Sequence, residues 1–308
     1  MSEFLVVGEA LVDIVEDLGG ARSEVPGGSP ANVALGLARL GRSAELLTWL
    51  GQDPRGSAVV DHLTASGVTV LPGSMEAART STALARLDRD GGATYEFDLE
   101  WSLAGCTPTQ DVSVLHTGSI AAVAETEPPG ALLDLVHEAR RTATITYDPN
   151  LRPSIMRDVG AVRPRVEALV AAADVVKVSE EDLAWLQPGA DPLGVASRWV
   201  TDLGCALAVV TRGADGSTAV LSGGRRVDVP PQRVPVVDTV GAGDAYMSGL
   251  LAALYEHGYT GAGRRADLHA ITDPAVTTIL GFAARVAAIT VGRSGANPPR
   301  LAEVTTAV

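Results

Sequence analysis

The chain has 308 residues and a formal net charge of −13, with 24 Lys and Arg against 37 Asp and Glu. That acidic surplus argues against nucleic acid or an anionic membrane surface as a partner, but leaves a small anionic ligand in one local site open. Apolar residues make up 46 % and aromatic ones 4 %, so a large core of Ala, Val and Leu in one α/β domain over 1–308 is expected.

Cys106 and Cys205 stand far apart, which suggests neither a disulfide framework nor a zinc site and fits reduced thiols in a cytoplasmic protein. His62, His116, His137, His257 and His269 show no ligand spacing. Residues 1–20 carry acids where a secretory signal needs a basic start. No apolar stretch reads as long enough to cross a bilayer.

Phe4–Val7 reads as a buried strand ending at Gly8. Asp13 follows just past its C-terminal end, where open α/β sheets place ligands; a turn carboxylate is the alternative. Next comes Pro26-Gly27-Gly28-Ser29-Pro30-Ala31-Asn32. Ser29 suits an N-cap and Pro30 the first helical position. Two glycines let a ligand approach the backbone, and Asn32 projects from the first turn with a donor and an acceptor.

Residues 46–50 and 68–71 read as extended, with a helix between them. Two strands, 80–87 and 93–99, flank the turn sequence 88–92. This hairpin interrupts the α/β alternation and suggests a small sheet acting as a lid, from segments 10–26 and 80–103. Phe97 and Trp101 belong to it, touching substrate or filling its core. No Lys or Arg occurs between Arg89 and Arg140, which points to a neutral sugar, since an acidic one needs a cation.

Strand and helix then alternate regularly. Asp148-Pro149-Asn150-Leu151-Arg152 falls at a strand end, with Arg152 able to reach a substrate oxygen or to face solvent. Ser179-Glu180-Glu181-Asp182 starts a helix as a capping sequence, or holds water around Mg²⁺. Thr211 and Gly213 close another strand, and a hairpin turns at Gly223-Gly224. The segment 259–273 reads as a polar surface connection, and a helix runs from Pro274 to about Val291.

The most informative stretch is Asp238-Thr239-Val240-Gly241-Ala242-Gly243-Asp244, which an extended apolar approach (Val234, Val236 and Val237) leads into and an Ala- and Leu-rich helix follows. Free N–H groups at a helix start, with the helix dipole, form an anion site. Asp244 at its mouth is either a general base or a helix cap. No GxxxxGK[ST] is present, and Lys177 is the chain's only lysine, so backbone amides rather than a P-loop would hold a phosphate. The strand–helix alternation predicts a mostly parallel sheet with helices on both faces.

These two motifs, 26–34 and 238–244, make the chain resemble the ribokinase or PfkB carbohydrate kinase family over nearly its whole length. Asp148–Arg152 and Lys177-Val178-Ser179-Glu180-Glu181 make it most similar to the fructokinases. The resemblance implies a three-layer α/β/α ribokinase-like fold with a small β lid often used for dimer contacts. It implies ATP-dependent phosphorylation of a primary hydroxyl of a neutral sugar, fructose first. Ribokinase, 2-keto-3-deoxygluconate kinase and nucleoside kinase are alternatives, and a catalytically silent sugar- or nucleotide-binding regulator is an alternative of another class.

By the same resemblance Asp244 is the base and the amides of Gly241, Ala242, Gly243 and Asp244 hold the γ-phosphoryl charge. Asp13, Gly27, Gly28, Asn32, Phe97 and Arg152 line the sugar. Lys177, Ser179, Thr211, Gly213, Gly216 and Asn297 line ATP. Asp238, Val240 and Gly295 hold a monovalent cation such as K⁺, and Asp182 meets Mg²⁺ through water. The family's Asn-x-x-Glu element stands here as Ser179-Glu180-Glu181-Asp182, and an Arg common in the second lid strand is missing near Asp98 and Leu99. That absence weakens the 2-keto-3-deoxygluconate alternative.

Overall fold

The computed structural model describes residues 2–87, 93–104, 111–124 and 130–306; the expected turn at 88–92 and Cys106 lie outside them. Thirteen strands occur among the described residues: β1 (Phe4–Val7), β2 (Leu11–Glu16), β3 (Arg22–Gly27), β4 (Ala44–Leu47), β5 (Thr69–Val70), β6 (Thr82–Leu87), β7 (Ala93–Asp98), β8 (Val114–Gly118), β9 (Thr144–Asp148), β10 (Val175–Ser179), β11 (Leu207–Thr211), β12 (Ser217–Leu221) and β13 (Arg226–Val229). Nine of them form one sheet in the order β13-β12-β11-β10-β9-β8-β1-β4-β5, parallel except at β12 and β13.

The central strands β1, β8 and β9 are buried along their whole length, as a sheet covered on both faces requires. One face carries a core with the helices Ser29–Arg39, Ala242–Glu256 and Asp273–Val291. The other carries a core with Ala131–Ala139, Val159–Ala172, Glu180–Leu186 and Pro192–Thr201. The architecture is the expected three-layer α/β/α sandwich.

From β1 the chain builds outward to β4 and β5, then returns to β8 and builds the other way. The order of strands therefore reverses between β1 and β8, and the crevice above their C-terminal ends is where such sheets bind ligands. The small sheet, in the order β3-β2-β6-β7, inserts twice into this plan.

Four local expectations are corrected. Ser29 is not a cap: the helix Ser29–Arg39 is capped by Gly28 at φ 103°, and Ser29 is its first residue. The approach through Val234, Val236 and Val237 is exposed and forms no strand, because Pro230, Pro231 and Pro235 lack the N–H groups a ladder needs. The segment 259–273 lies mostly at the surface, as expected of a polar connection, but is more than that. It contains the helix Arg265–His269 and buries Leu268 and Ile271. Asp273–Val291, 19 residues with mean hydropathy 1.6, is long and apolar enough to cross a membrane, contrary to the sequence expectation. Here it packs against Ala242–Glu256, burying Val276, Ile279, Leu280, Ala283 and Val286.

Candidate active site

Asp244 is the third residue of the helix Ala242–Glu256, whose cap is Gly241 at φ 74° with no side-chain cap. A β-carbon at Gly241 would stand 2.6 Å from the Ala296 Cβ, so the turn into this helix needs glycine for both reasons. The Ala242 N–H donates to the Thr239 carbonyl at 3.2 Å. The N–H groups of Gly241, Gly243 and Asp244 make no hydrogen bond among the described residues. They are the amides left to meet an anion.

The Asp244 side chain does not cap its own helix. It accepts from the Ser29 hydroxyl at 2.7 Å on Oδ1 and from the Asn32 amide at 2.8 Å on Oδ2. A longer contact of 3.5 Å comes from Asn150. The helix Ser29–Arg39 thus aims the carboxylate from across the site.

Asp13 lies on β2, paired with Val25 of β3 and Ala83 of β6. A β-carbon at Gly27 would stand 2.1 Å from the Asp13 Oδ2, and one at Gly28 would stand 2.6 Å from the Glu9 carbonyl. The two glycines therefore let the strand end close onto Glu9 and Asp13. Burial raises the Asp13 carboxyl to about 6; Arg152 opposes this and Asp244 reinforces it. Arg152 donates to the Asn150 side chain at 2.7 Å and to the carbonyls of Asn150 and Leu151 at 3.1 Å. Asn150 itself is held at φ 39°. Phe97 is half-buried on β7 and stacks on Tyr95, with ring centroids 6.1 Å apart.

Further along the same edge of the sheet, Ser179 and Thr211 end adjacent strands in register. Gly213 and Gly216 bracket the short turn that follows Thr211. Asp182 completes a capping box with Ser179 and also accepts from the Leu151 N–H at 2.9 Å. Burial pushes the Asp182 carboxyl upward. The Asp238 carboxylate accepts from Val240 N–H at 3.0 Å and Gly295 N–H at 2.8 Å, which lower its pKa. Asn297 is exposed and accepts from Arg39 at 2.5 Å.

Residues 1–303 match the family described as pfkB family carbohydrate kinase. The chain is a PfkB-family carbohydrate kinase. The kinase is 35 % identical over 260 residues to the fructokinase of Klebsiella pneumoniae, a match covering 82 % of this chain and 84 % of that one. Its fold is similar to that of Xylella fastidiosa fructokinase with bound ATP, at TM-score 0.84 and 26 % identity over 99 % of this chain and 98 % of that one. It is also similar to a Vibrio cholerae O395 fructokinase double mutant in fructose, ADP and potassium ion bound form, at TM-score 0.80, 26 % identity and the same coverage.

Three features of the kinase's site escape a reading of its sequence. One is the role of Ser29, which local helix rules assign to capping. The second is the pair Lys177–Asp148, at 2.6 Å and almost fully buried; both motifs were visible, but nothing in them said that they meet. The third is Glu9, which spans the crevice between β1 and β8 by accepting from the Ala121 N–H at 3.0 Å. Burial raises the Glu9 carboxyl to about 7, against hydrogen bonds from Ala121 and Ser119.

Folded Glu9 holds its proton up to about pH 7, whereas the unfolded chain releases it near 4.5. Between those values the folded state binds more protons, so stability falls as pH rises through that window. Glu9→Gln is expected to remove roughly 2–3 kcal/mol of that decline. Melting temperatures at pH 5, 6 and 7.5 check it: the variant's profile is flatter than the wild type's, and parallel profiles refute the assignment.

Proposed function

We propose that this kinase transfers the γ-phosphoryl group of ATP to a primary hydroxyl of a neutral sugar, with fructose as the first candidate. The observation that carries this reading is the Asp244 carboxylate, held by Ser29 and Asn32 beside free helix-start amides. A sugar hydroxyl would give its proton to Asp244 as its oxygen forms a bond to the γ-phosphorus and the bond to ADP breaks. The amides of Gly241, Gly243 and Asp244 would stabilise the charge on the transferring group. Asp13, Asn32 and Arg152 supply the polar contacts for the other hydroxyls.

The relatives named fructokinase support the sugar, and the ATP- and ADP-bound structures support the nucleotide. Asp238, Val240 and Gly295 are the residues that would hold K⁺, an ion bound in the Vibrio cholerae relative. No group of three metal-ligating side chains occurs among the described residues. That suits Mg²⁺ carried on the nucleotide phosphates with water completing its shell, Asp182 touching that water. Val25 and Tyr95 are exposed on the face of the small sheet that also carries Asp13. A homodimer closed over this face fits those apolar residues, and light scattering reads it directly. A cytoplasmic setting goes with Cys205, a buried free thiol.

The test is ADP release with MgATP across fructose, ribose, 2-keto-3-deoxygluconate and nucleosides. Fructose is expected to give at least tenfold higher kcat/KM than the others. A different winner replaces the substrate, and silence on the whole panel with ATP bound replaces the kinase reading with that of a silent binder.

A further inference from the structure

The single lysine of the chain is not on the surface. Lys177 sits on β10 with its side chain 4 % exposed, in the crevice beneath the start of the helix Ala242–Glu256. Its Nζ donates to the Asp148 Oδ2 at 2.6 Å and to the Gly243 carbonyl at 3.4 Å. A β-carbon at Gly243 would stand 3.1 Å from that Nζ, so the ammonium packs directly on the Gly243 backbone. Burial pulls the ammonium pKa down, but Asp148, with Asp244 and Asp182 behind it, more than restores it. The ammonium stays charged in the fold.

The Gly243 carbonyl and the Asp244 N–H belong to one peptide group. That N–H has no acceptor among the described residues and points from the helix start as an anion donor. A cation on the carbonyl oxygen of a peptide polarises the group and makes its N–H a stronger donor. We infer that Lys177 is a positioning residue that strengthens the Asp244 N–H through the Gly243 carbonyl, with Asp148 holding the ammonium in place. This rests on the proposed phosphoryl transfer and deepens it: the lysine acts on the protein's anion hole and touches neither sugar nor nucleotide. The second Asp148 oxygen is buried and lacks a hydrogen-bond partner. Lys177 is thus the one hydrogen-bond partner of the Asp148 side chain among the described residues, while the ammonium has the Gly243 carbonyl as its second hold.

The test compares Lys177→Met, and the double variant Lys177→Met with Asp148→Asn, against wild type. The single change leaves a buried carboxylate unpaired and is expected to lower stability, whereas removing both charges restores most of it. The readouts are kcat, the KM values for ATP and sugar, and the affinity for ADP with aluminium fluoride, a mimic of the transferring phosphoryl group. Both variants are expected to lose kcat by 10–100-fold, somewhat less than loss of a whole anion-hole donor. Affinity for the mimic falls by the same factor, while both KM values stay within about threefold of wild type. Recovery of kcat together with stability in the double variant would overturn the inference, since the pair would then be structural only. A loss confined to the KM for ATP would also overturn it, because Lys177 would then be a nucleotide ligand. A wild type silent on every sugar would instead remove the kinase reading, so the two failures are distinguishable.

Discussion

Asp244→Asn is expected to lower kcat by about 10³-fold or more, with the sugar KM changed by only a few-fold. The change is nearly isosteric, and the site tolerates it for a specific reason. The carboxylate accepts from Ser29 on one oxygen, with the longer Asn150 contact on that same oxygen, and from Asn32 on the other. An amide keeps one acceptor for the Asn32 donor and turns its NH₂ toward the Ser29 hydroxyl, which can rotate to accept. Geometry and fold persist while the proton acceptor is gone. A coupled ADP-release assay with wild type alongside, and a melting curve for each, separates chemistry from folding. A variant that retains more than a tenth of wild-type kcat would show that the proton goes elsewhere.

The second large effect lies at the opposite end of the sheet. Asp174 precedes β10 and is 2 % exposed. Its carboxylate accepts from Arg140 at 3.1 Å, from Arg265 at 2.8 Å and from the Ile145 N–H at 2.8 Å. Arg265 also donates to the carbonyls of Arg140 and Ala143, so one carboxylate fastens the helix Arg265–His269 to the bottom of β9 and β10. Asp174→Ala strands two partly buried guanidinium groups and one strand amide. The expected cost is about 3–5 kcal/mol, or a melting temperature lower by roughly 10 °C. Because the site lies at the other strand ends, kcat measured below the melting transition is expected within about twofold of wild type. A drop in kcat as large as the stability loss implies would show that the two ends are coupled.

The fold was legible because its signals are local. Short runs such as Phe4–Val7 and Leu207–Thr211 are apolar throughout, and only a sheet covered on both faces uses such strands. The Gly-Ala-Gly-Asp stretch was legible for a similar reason: a glycine turn before a helix has few other uses. What the sequence could not reveal depends on contacts across more than 25 residues. Ser29 obeys capping rules and yet meets Asp244, 215 positions away. Lys177 and Asp148 find each other only because β9 and β10 are neighbours. The valines at 234–237 misled for the opposite reason, since their local pattern was extended but no strand edge was within reach. The segment 259–273 misled because its polar composition hides Arg265, whose partner lies 91 residues earlier.

The chain crosses between the small sheet and the main body at four places, near Gly8–Ala10, at Gly28, at Arg79–Ser81 and after Asp98. Ser81 and Glu100 bond each other in both directions, and Thr80 and Glu100 are fastened to Asp53 and Trp49 of the body. Arg55 of the helix Pro54–Thr64 also grips Glu24 on β3, so a tilt of the sheet as one plate about the line of its chain crossings would have to break or carry that ion pair. Distance from that line then decides how far each residue travels. At about 3.3 Å per strand residue, a tilt of roughly 6° about Ala10 shifts Asp13 by about 1 Å and Glu16 by about 2 Å. Asp13 therefore rides close to the axle, and Ser29 and Asn32 stay on the body with Asp244. A tilt of the plate would therefore carry its far rim further than Asp13, the carboxylate that the proposed function assigns to the sugar.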